Sequence, residues 1–573
     1  MLRSITESRL PDRGPLTMDQ TLVDAVAALP RGDARGLRFV STHGDEHYYP
    51  YEALEREARN HAKKLVALGL NKGERVALVV LDPEAFILSF LGASFAGLVP
   101  VPIFPRGSLN FRTRTRYAET VSHIVRSAGA RMLLTSTSTR ETIEDVLAVD
   151  TGLERIVTIE ALLDGEPPEC DLPTPHPDDL CFLQYTSGST SLPKGVMVTH
   201  RNLVANATAF LGPRGIDLRE QDVYVSWLPL HHDMGLISVL GALICDLPCV
   251  LLATEAFVRR PGLWLEAITK YRGTISFAPN FAYALAARRS RDQDLEGLDL
   301  RRLRVAGCGA EPINAQALRQ FCTRFEPAGF RAEALLPCYG MAEATLAITF
   351  HDHGQPLVTD VVYAAALGLG RAIPAARDNG LRTIELVGCG HCFPGHELRI
   401  VDESGRALPE RCVGEIVTRG PSITVGYYGQ ADASADAYRD GWLQTGDLGY
   451  LAGDQLYICG RSKDLIVIHG SNLYPQDIEW AVAELPSVQS RGVIAFSVMR
   501  NGDETLVVCA EGKPAEATAL RRAIAQKVAE CAGLQVGHVA IVQAGSLPRT
   551  SSGKVQRRRT KAQFEAGELE EHS

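Results

Sequence analysis

Residues 184–200 read QYTSGSTSLPKGVMVTH, and this stretch organises the interpretation of the whole chain. Five consecutive positions combine hydroxyl side chains with one glycine: Thr186, Ser187, Gly188, Ser189 and Thr190. Amide and hydroxyl donors in such a loop can converge on one anion, because glycine permits backbone conformations that other residues avoid. The flanking segments CFLQY and VMVTH have strand-like composition. The stretch therefore predicts a phosphate-binding loop between two extended segments.

Lys194 separates this loop from the Walker A motif of nucleoside triphosphatases. That motif has a glycine before its lysine and a hydroxyl residue after it. Here Pro193 and Gly195 flank Lys194, so a Walker-type nucleotide site is not supported. A polar surface hairpin is the alternative, although ordinary turn chemistry does not require so many hydroxyl groups.

Helical and strand-like patterns alternate along the chain around this loop. Residues 51–68 carry apolar side chains at helical spacing and end at Gly69, and an apolar strand pattern follows at residues 76–81. Asp82 predicts a helix N-cap, with Pro83 at the first helical position. Further apolar strands are predicted at residues 131–135, 223–227 and 249–252. This alternation predicts a layered α/β fold with buried, mostly parallel strands.

The domain organisation follows from length and from a change of pattern. A chain of 573 residues is long enough for three or four compact units. From about residue 388 the pattern changes to short strands and tight turns, which predicts a small β subdomain. A polar hinge then precedes a tail in which residues 493–498 and 505–508 are predicted strands. One face of a helix in this tail is marked by Leu520, Ile524 and Val528. We predict a large N-terminal domain, residues 1–460, and a small mobile α+β C-terminal domain, residues 461–573.

Composition argues against several classes of protein. The formal net charge of -9 disfavours a general nucleic-acid binder, which needs a basic surplus. The amino terminus has no apolar segment typical of a secretory signal. Glycines and prolines interrupt the long uncharged run at residues 85–105, so we expect a buried helix and strand there and no integral membrane segment.

The thirteen cysteines are spread without regular pairing, which indicates reduced thiols and a cytoplasmic protein. Residues 389–392 read CGHC, the spacing of a redox dithiol, and Cys245 with Cys249 could be imagined as completing a zinc site. Redox dithiols open a helix, whereas Phe393, Pro394 and Gly395 follow here. We interpret the spacing as coincidence.

Four polar, glycine-rich clusters lie at the ends of predicted strands. WLPLHHDMGL contains His231, His232 and Asp233, a set that suits a gate beside a pocket. CGAEPI places a small-residue turn after a strand, where flat ligands lie in open α/β sheets: Gly309, Ala310, Glu311 and Pro312. For WLPLHHDMGL the alternative interpretation is a histidine with only a structural role in a loop.

CYGMAEATL and LQTGDLGY supply an aromatic ring and two carboxylates. Tyr339 offers a stacking surface and Gly340 a close backbone approach, while Glu343 suits magnesium, which prefers few carboxylates plus phosphate oxygens. Asp447 could accept two hydrogen bonds from a ribose diol, or it could be a buried capping residue. Near the end of the chain, PRTSSGKVQRR presents Lys554, a mobile charge suited to a reacting phosphate or carboxylate, although a single lysine is more often solvated.

In their order and spacing, YTSGSTSLPKG, HHDMG, GAEP, YGMAE, TGD, GRSKD and SGK resemble the motifs of the adenylate-forming superfamily of acyl-CoA synthetases, luciferases and adenylation domains. The resemblance extends from about residue 35 to residue 560. WLPLHHDMGL, SFAPNFAY and VGCG are most similar to the fatty acyl-AMP ligase branch. The segment between Ala347 and Leu386 lies where that branch carries an insertion. Cys308 and Gln444 depart from the pattern without removing a functional side chain.

The resemblance implies ATP and magnesium as cofactors, a fatty acid as substrate, and a role for each matched position. Thr186–Thr190 and Lys194 would hold the β- and γ-phosphates, Glu343 would hold magnesium, and Lys554 would bridge the carboxylate and the α-phosphate. Other matched positions are nucleotide contacts: Gly309, Ala310, Glu311, Pro312, Tyr339, Gly340, Met341, Asp447 and Arg461. Lys554, Glu343 and His232 are the expected catalytic residues. The remaining expectations are Lys463 as hinge and an acyl pocket formed by Ile237, Phe277 and Phe281.

The resemblance also implies an acceptor, the phosphopantetheine of an acyl carrier protein acting in trans. The basic cluster Arg557, Arg558, Arg559 and Lys561 could dock such an acidic partner, or could form a solvated surface. A medium- or long-chain acyl-CoA synthetase using free CoA is the nearest alternative. A catalytically silent binding or scaffold protein is the alternative from another class, against which the intact lysine, glutamate and aspartate set argues.

Overall fold

The largest element of the fold is a nine-stranded sheet. In this computed structural model, residues 17–105, 111–143, 151–186, 192–376, 380–468, 471–488, 492–500, 503–549 and 554–572 are described. The strands of the sheet, in spatial order, are His391–Cys392, Ala347–Phe350, Leu335–Gly340, Val305–Gly309, Ile275–Pro279, Tyr224–Ser226, Cys249–Leu252, Gly36–Val40 and Glu46–Pro50. The central pairs are parallel and the pairs at both edges are antiparallel. Because parallel strands end on the same side, their carboxyl ends share one edge.

A second sheet packs beside the first and is wholly parallel. Its strands, in spatial order, are Val99–Pro102, Arg75–Val79, Ala130–Thr135 and Arg155–Thr158. The hairpin Leu180–Tyr185 and Gly195–Thr199 carries the polar loop between its antiparallel strands. The prediction of two extended segments around this loop is confirmed.

Helices cover the sheets where the sequence has apolar faces and caps. Helix Tyr51–Ala67 and helix Pro83–Phe95 occupy the predicted positions, and the Asp82 side chain accepts a hydrogen bond from the Ala85 amide as an N-cap. The other helices of the N-terminal part are Leu22–Ala27, Phe111–Ala128, Thr137–Ile143, Ile159–Leu163, His200–Leu211, Asp233–Ile244, Thr254–Arg259, Gly262–Lys270, Asn280–Arg289, Ala315–Phe325, Ala364–Gly368 and Ala431–Ala437. The predicted α/β fold class is confirmed.

A small β unit follows the last strand of the nine-stranded sheet in the chain. It contains the antiparallel strands Glu397–Val401, Gly414–Arg419, Trp442–Ala452, Tyr438–Arg439 and Gln455–Arg461. A separate hairpin, Thr359–Tyr363 with Thr383–Val387, lies in the segment that the sequence assigned to an insertion. We call residues 359–387 the insertion hairpin.

The C-terminal part has its own sheet and its own hydrophobic core. Strands Val493–Arg500, Asp503–Glu511 and His538–Val542 form one sheet, and a short hairpin joins Ile466–Ile468 to Ser471–Leu473. Helices Pro475–Ala483, Ala517–Ala532 and Arg557–Glu565 pack with these strands. Leu520, Ile524 and Val528 are buried as predicted, whereas the third strand was missed.

The uncharged run at residues 85–105 is divided as expected between helix Pro83–Phe95 and strand Val99–Pro102. Among the described residues, no helix is both long enough and apolar enough to cross a bilayer. The CGHC residues do not open a helix either, since His391–Cys392 forms a strand. Burial raises the pKa of the Cys389 thiol to about 12, which disfavours a reactive thiolate.

Candidate active site

One continuous cavity lies at the carboxyl edge of the nine-stranded sheet and extends between the N-terminal and C-terminal parts. Residues from all the polar clusters line it, together with an apolar wall. The candidate residues on its wall are Thr186, Lys194, His231, His232, Asp233, Ala310, Glu311, Pro312, Tyr339, Gly340, Met341, Glu343, Asp447, Arg461, Lys463 and Lys554. Tertiary structure thus brings together positions separated by hundreds of residues.

Thr186 and Lys194, at the two ends of the polar loop, line this cavity. The Thr186 amide donates to the Lys194 carbonyl at 3.1 Å, which closes the loop at its base. The Lys194 ammonium lies 4.7 Å from the centre of the Tyr427 ring, a cation–π distance. The predicted anion-binding residues Ser187, Gly188, Ser189 and Thr190 lie outside the described residues.

Glu343 lies in the turn after strand Leu335–Gly340. Its side chain is 8% exposed, and the Tyr427 hydroxyl donates to Oε1 at 2.8 Å. Burial raises the pKa of the Glu343 carboxyl, while the Tyr427 hydrogen bond acts in the opposite direction. A buried carboxylate on a cavity wall fits a divalent cation, because the cation would offset the cost of burying the charge. Tyr427 contacts both Lys194 and Glu343 and was missed in the sequence analysis.

Tyr339, Asp447 and Arg461 form a second polar group. The Tyr339 hydroxyl donates to Asp447 Oδ2 at 2.7 Å, and Arg461 Nε donates to Asp447 Oδ1 at 3.2 Å. Asp447 and Arg461 are register partners on adjacent strands, which fixes their approach. Burial raises the pKa of Tyr339 well above its ordinary value, so the hydroxyl stays protonated. A ribose diol would therefore share the Asp447 oxygens with two protein donors.

The GAEP turn follows strand Val305–Gly309. A Cβ at Gly309 would lie 2.6 Å from Cys338 Sγ, so the close approach of the neighbouring strand requires glycine here. Ala310 has a φ of 64°, and this backbone turn directs its carbonyl oxygen toward the cavity side, where it accepts from Lys554 Nζ. Glu311 Oε1 accepts from the Phe281 amide at 2.6 Å, so its carboxylate anchors the start of helix Asn280–Arg289. Glu311 also lines the cavity, and its role as a nucleotide contact stays a prediction.

The HHDMG segment places two histidines and an aspartate at the start of helix Asp233–Ile244. His231 packs against Phe104 at a ring distance of 4.8 Å and against His232 at 4.3 Å. Burial lowers the pKa of His231 well below its ordinary value, so this imidazole is neutral at physiological pH. Burial raises the pKa of Asp233, whereas the positive charge of Lys554 acts to lower it. Asp233 thus lies close enough to Lys554 to feel its charge, and His232 lines the same cavity.

Lys554 reaches this position from the C-terminal part of the chain. Its Nζ donates to the Ala310 carbonyl, 244 positions away in sequence. This contact joins the C-terminal lysine to the end of a central strand of the main sheet. The lysine therefore lies in the same cavity as Glu343, Asp447 and Asp233.

The apolar wall of the cavity contains Phe277 and Phe281, as the sequence predicted. Ile237 is fully buried and does not line the cavity; on the same helix Met234, Gly235 and Ser238 do. The expectation for Ile237 is corrected, because the helix turns that side chain toward the core. The sequence analysis missed Trp227 and Phe257, whose rings stack at 3.6 Å with an interplanar angle of 7° on this wall.

Arg557, the first residue of the basic cluster near the carboxyl terminus, is bound by other residues of the C-terminal part. Arg557 is paired with Glu479 and lies 3.9 Å from Asp464, and its guanidinium also donates to the Ala495 carbonyl at 2.8 Å. Its side chain is 15% exposed. Arg557 is therefore committed to the C-terminal core and is not a docking residue, which corrects the sequence interpretation for this position.

Substitution of Gly340 tests whether the turn that carries Glu343 needs the close backbone packing seen in the structure. A Cβ at this position would lie 1.9 Å from the Leu346 carbonyl oxygen, which is backbone and cannot turn away. We expect Gly340→Ala to lower the free energy of unfolding by about 1–3 kcal/mol, measured by chemical denaturation. Gly262→Ala is the matched control, since a Cβ there meets only Glu266 Oε1 at 3.7 Å. Equal stability of the two variants would contradict the steric argument.

The cavity brings a buried carboxylate, Glu343, and the Tyr339–Asp447 pair together with Lys554 from the C-terminal part. This arrangement is typical of an enzyme that activates an acid with a nucleotide. The sequence matches the AMP-binding enzyme family over residues 26–428, and the chain belongs to that family. Residues 463–573 match the Disco-interacting protein 2-like AMP domain.

Similarity to other proteins extends over most of the chain. It is 36% identical over 559 residues to a putative acyl-CoA synthetase of Caulobacter vibrioides, covering 96% of each chain. It is 34% identical to the medium-chain-fatty-acid–[acyl-carrier-protein] ligase JamA of Moorena producens, covering 91% of this chain and 90% of that protein. A solved structure from a study of fatty acyl-adenylate ligases of E. coli and L. pneumophila is 35% identical with a TM-score of 0.89, covering 96% of this chain and 98% of that one.

Proposed function

We propose that the protein is a fatty acyl-AMP ligase that uses ATP to convert a fatty acid to its acyl adenylate and then transfers the acyl group to the phosphopantetheine thiol of an acyl carrier protein. The observation that carries the first step is the convergence of Lys554, Glu343 and Asp447 on one cavity that also has an aromatic apolar wall. The names of the similar ligases support the same reaction.

In the proposed first step, the carboxylate of the fatty acid attacks the α-phosphate of ATP and pyrophosphate leaves. Lys194 and the polar loop hold the leaving phosphates, while Lys554 neutralises charge that develops between the carboxylate and the α-phosphate. Asp447 accepts hydrogen bonds from the ribose, and Tyr339 fixes the carboxylate of Asp447 through the 2.7 Å hydrogen bond. When bound, magnesium would neutralise phosphate charge, and Glu343 is the residue that would hold it. Phe277 and Phe281 contact the acyl chain.

The insertion hairpin supports the ligase branch over an acyl-CoA synthetase. Arg382 donates to the Ala532 carbonyl of the C-terminal part at 3.0 Å. Helix Ala364–Gly368 packs on strand Ser471–Leu473 of the C-terminal part, so closely that a Cβ at Gly368 would lie 2.9 Å from the Asn472 carbonyl oxygen. These contacts hold the C-terminal part against the N-terminal part in the position where Lys554 enters the cavity. An acyl-CoA synthetase remains the second candidate, because one similar protein carries that name.

An acceptor experiment separates the two candidates. ATP–pyrophosphate exchange across a series of fatty acids identifies the acid, and the preferred acid is then offered with either holo-acyl carrier protein or free CoA. We expect exchange with fatty acids and acyl transfer to the carrier protein. Robust formation of acyl-CoA would instead assign the chain to the synthetases, and absence of exchange with every fatty acid would reject both. We also propose a cytoplasmic location, because the thirteen cysteines are spread along the chain without the regular spacing of a disulfide framework.

A substitution at Lys463 tests whether the C-terminal part rotates about a hinge at this position between the two reaction steps. It lies on the exposed 3₁₀ turn Ser462–Asp464, directly after strand Gln455–Arg461. Proline restricts the φ angle and removes the amide donor, so a domain rotation at this position would be blocked. We expect Lys463→Pro to retain most pyrophosphate release but to lose acyl transfer by about 10-fold or more. Lys463→Ala serves as the control for loss of the side chain; transfer that survives in the proline variant would place the hinge elsewhere.

A further inference from the structure

Glu511 is a completely buried carboxylate that the proposed reaction does not use directly. It ends strand Asp503–Glu511 in the C-terminal part and has no exposed surface. A carboxylate in such a position is costly unless it is paired and hydrogen-bonded. Arg549 Nη2 lies 2.8 Å from Glu511 Oε2, and the Leu547 amide donates to Oε1 at 3.2 Å. Both oxygens of the carboxylate thus hold the segment around residues 547–549.

The backbone beside Glu511 leaves space for this arrangement. The Glu511 amide donates to the Gly492 carbonyl at 2.7 Å, and a Cβ at Gly492 would lie 2.7 Å from Glu511 Oε2. Any larger residue at position 492 would displace the carboxylate. The side chain is therefore held from the strand side as well as from the loop side.

The residues that Glu511 holds are connected to the segment carrying Lys554. Arg549 forms an antiparallel bridge with Val555, and the Gln556 amide donates to the Pro548 carbonyl at 2.8 Å. Val555 is the neighbour of Lys554, whose Nζ contacts the Ala310 carbonyl. The contacts therefore run from the buried carboxylate through Arg549 to the backbone next to the lysine.

We propose that Glu511 is a positioning residue for Lys554: through Arg549 and Leu547 it holds the backbone of the lysine segment so that Lys554 projects into the cavity. The proposal rests on the proposed role of Lys554 in forming the acyl adenylate. A lysine side chain has a flexible stem, so its reach into the site depends on a fixed backbone beneath it. Small displacements of a reacting group lower rates strongly, whereas they change ground-state binding little.

Glu511→Gln keeps the shape of the side chain and removes its charge. The matched control is Glu571→Gln, because Glu571 is also paired in the C-terminal part, with His538 at 2.9 Å. Hydrogen–deuterium exchange of the peptide covering residues 547–556 is measured first in both variants. We expect faster exchange of this peptide in Glu511→Gln only, with the peptides of the main sheet unchanged. Unchanged exchange of the 547–556 peptide would overturn the proposal.

Kinetics then separates positioning from general stability. For Glu511→Gln we expect the kcat of fatty-acid-dependent pyrophosphate release to fall by about 10- to 100-fold with little change in the KM for ATP. Transfer from supplied acyl adenylate to the carrier protein is expected to stay at the wild-type rate. A parallel loss of both half-reactions, or a fully retained kcat in spite of faster exchange, would contradict positioning.

Arg549→Lys provides a second variant in case the glutamine substitution prevents folding. Lysine keeps the charge opposite Glu511 but lacks the planar guanidinium, so we expect a smaller loss of kcat and intermediate exchange of the 547–556 peptide. Wild-type kcat and wild-type exchange in this variant would overturn the role of Arg549. Absence of pyrophosphate release from the wild-type protein would reject the proposed function instead, while the exchange measurement would still report whether Glu511 holds the segment.

Discussion

Lys554→Ala is expected to reduce fatty-acid-dependent pyrophosphate release by about 10²- to 10³-fold, since removing one group that stabilises transition-state charge has this effect in enzymes. ATP binding should remain measurable, because Glu343, Asp447 and Lys194 lie on other parts of the cavity wall. The physical reason is that the lysine charge is needed most when negative charge develops between the carboxylate and the α-phosphate. Single-turnover pyrophosphate release and equilibrium titration with ATP measure the two quantities separately.

Two other lysine variants are compared with Lys554→Ala, the first as a control and the second as a weaker variant of the same site. Lys561→Ala removes a lysine from helix Arg557–Glu565, where its ammonium lies 3.9 Å from Glu565, and should leave pyrophosphate release unchanged. Lys194→Ala should slow adenylate formation, but less than Lys554→Ala, because Lys194 is expected to contact the leaving phosphates and not the reacting centre. A larger effect of Lys194→Ala would reverse this division of roles.

Glu343→Gln is expected to lower adenylate formation by about 10²-fold at limiting magnesium, with partial recovery at high magnesium. Glutamine can still accept the hydrogen bond from the Tyr427 hydroxyl, which lies 2.8 Å from Oε1, so the turn should remain folded. What the variant loses is the negative charge on the cavity wall. Magnesium titration of pyrophosphate release, with thermal unfolding in parallel, measures the effect.

The pH dependence of magnesium activation gives an independent check on Glu343. Burial raises the pKa of this carboxyl, and a cation binds only the deprotonated form. Protons therefore compete with magnesium at a higher pH than they would for an exposed glutamate, and the apparent magnesium affinity should weaken as the pH falls. Glu343→Gln should lose this pH dependence. If the wild-type magnesium affinity does not change toward acid pH, Glu343 is not the magnesium residue.

Local sequence patterns were sufficient for most of the fold near the site. Asp82 and Pro83 start their helix as predicted, because capping and the proline φ angle are properties of a few adjacent residues. The hairpin around the polar loop and the buried face of helix Ala517–Ala532 followed from strand and helix periodicity in the same way. The third C-terminal strand, His538–Val542, was missed because its pairing with Asp503–Glu511 is made across an intervening helix.

Contacts between distant segments decided the details that local patterns could not. Ile237, Phe277 and Phe281 are all apolar, and only packing shows that Ile237 points to the core while the two phenylalanines face the cavity. Arg557 belongs to a basic cluster whose composition suits a docking surface, but its side chain is paired with Glu479 and mostly buried. Tyr427 and Glu511 were not identified from the sequence, because each acquires its partner from a segment far away in the chain.

The sequence by itself determined the α/β class, the positions of the main helices and strands, and most of the polar residues that make up the candidate site, since backbone preference and side-chain chemistry are local properties. Tertiary structure alone decided that the loop at residue 186 and the lysine at residue 554 face one cavity, and which charged groups fix them there. The reason is physical: strand order and long-range ion pairs depend on how separated segments share one core, and neither periodicity nor composition records that choice.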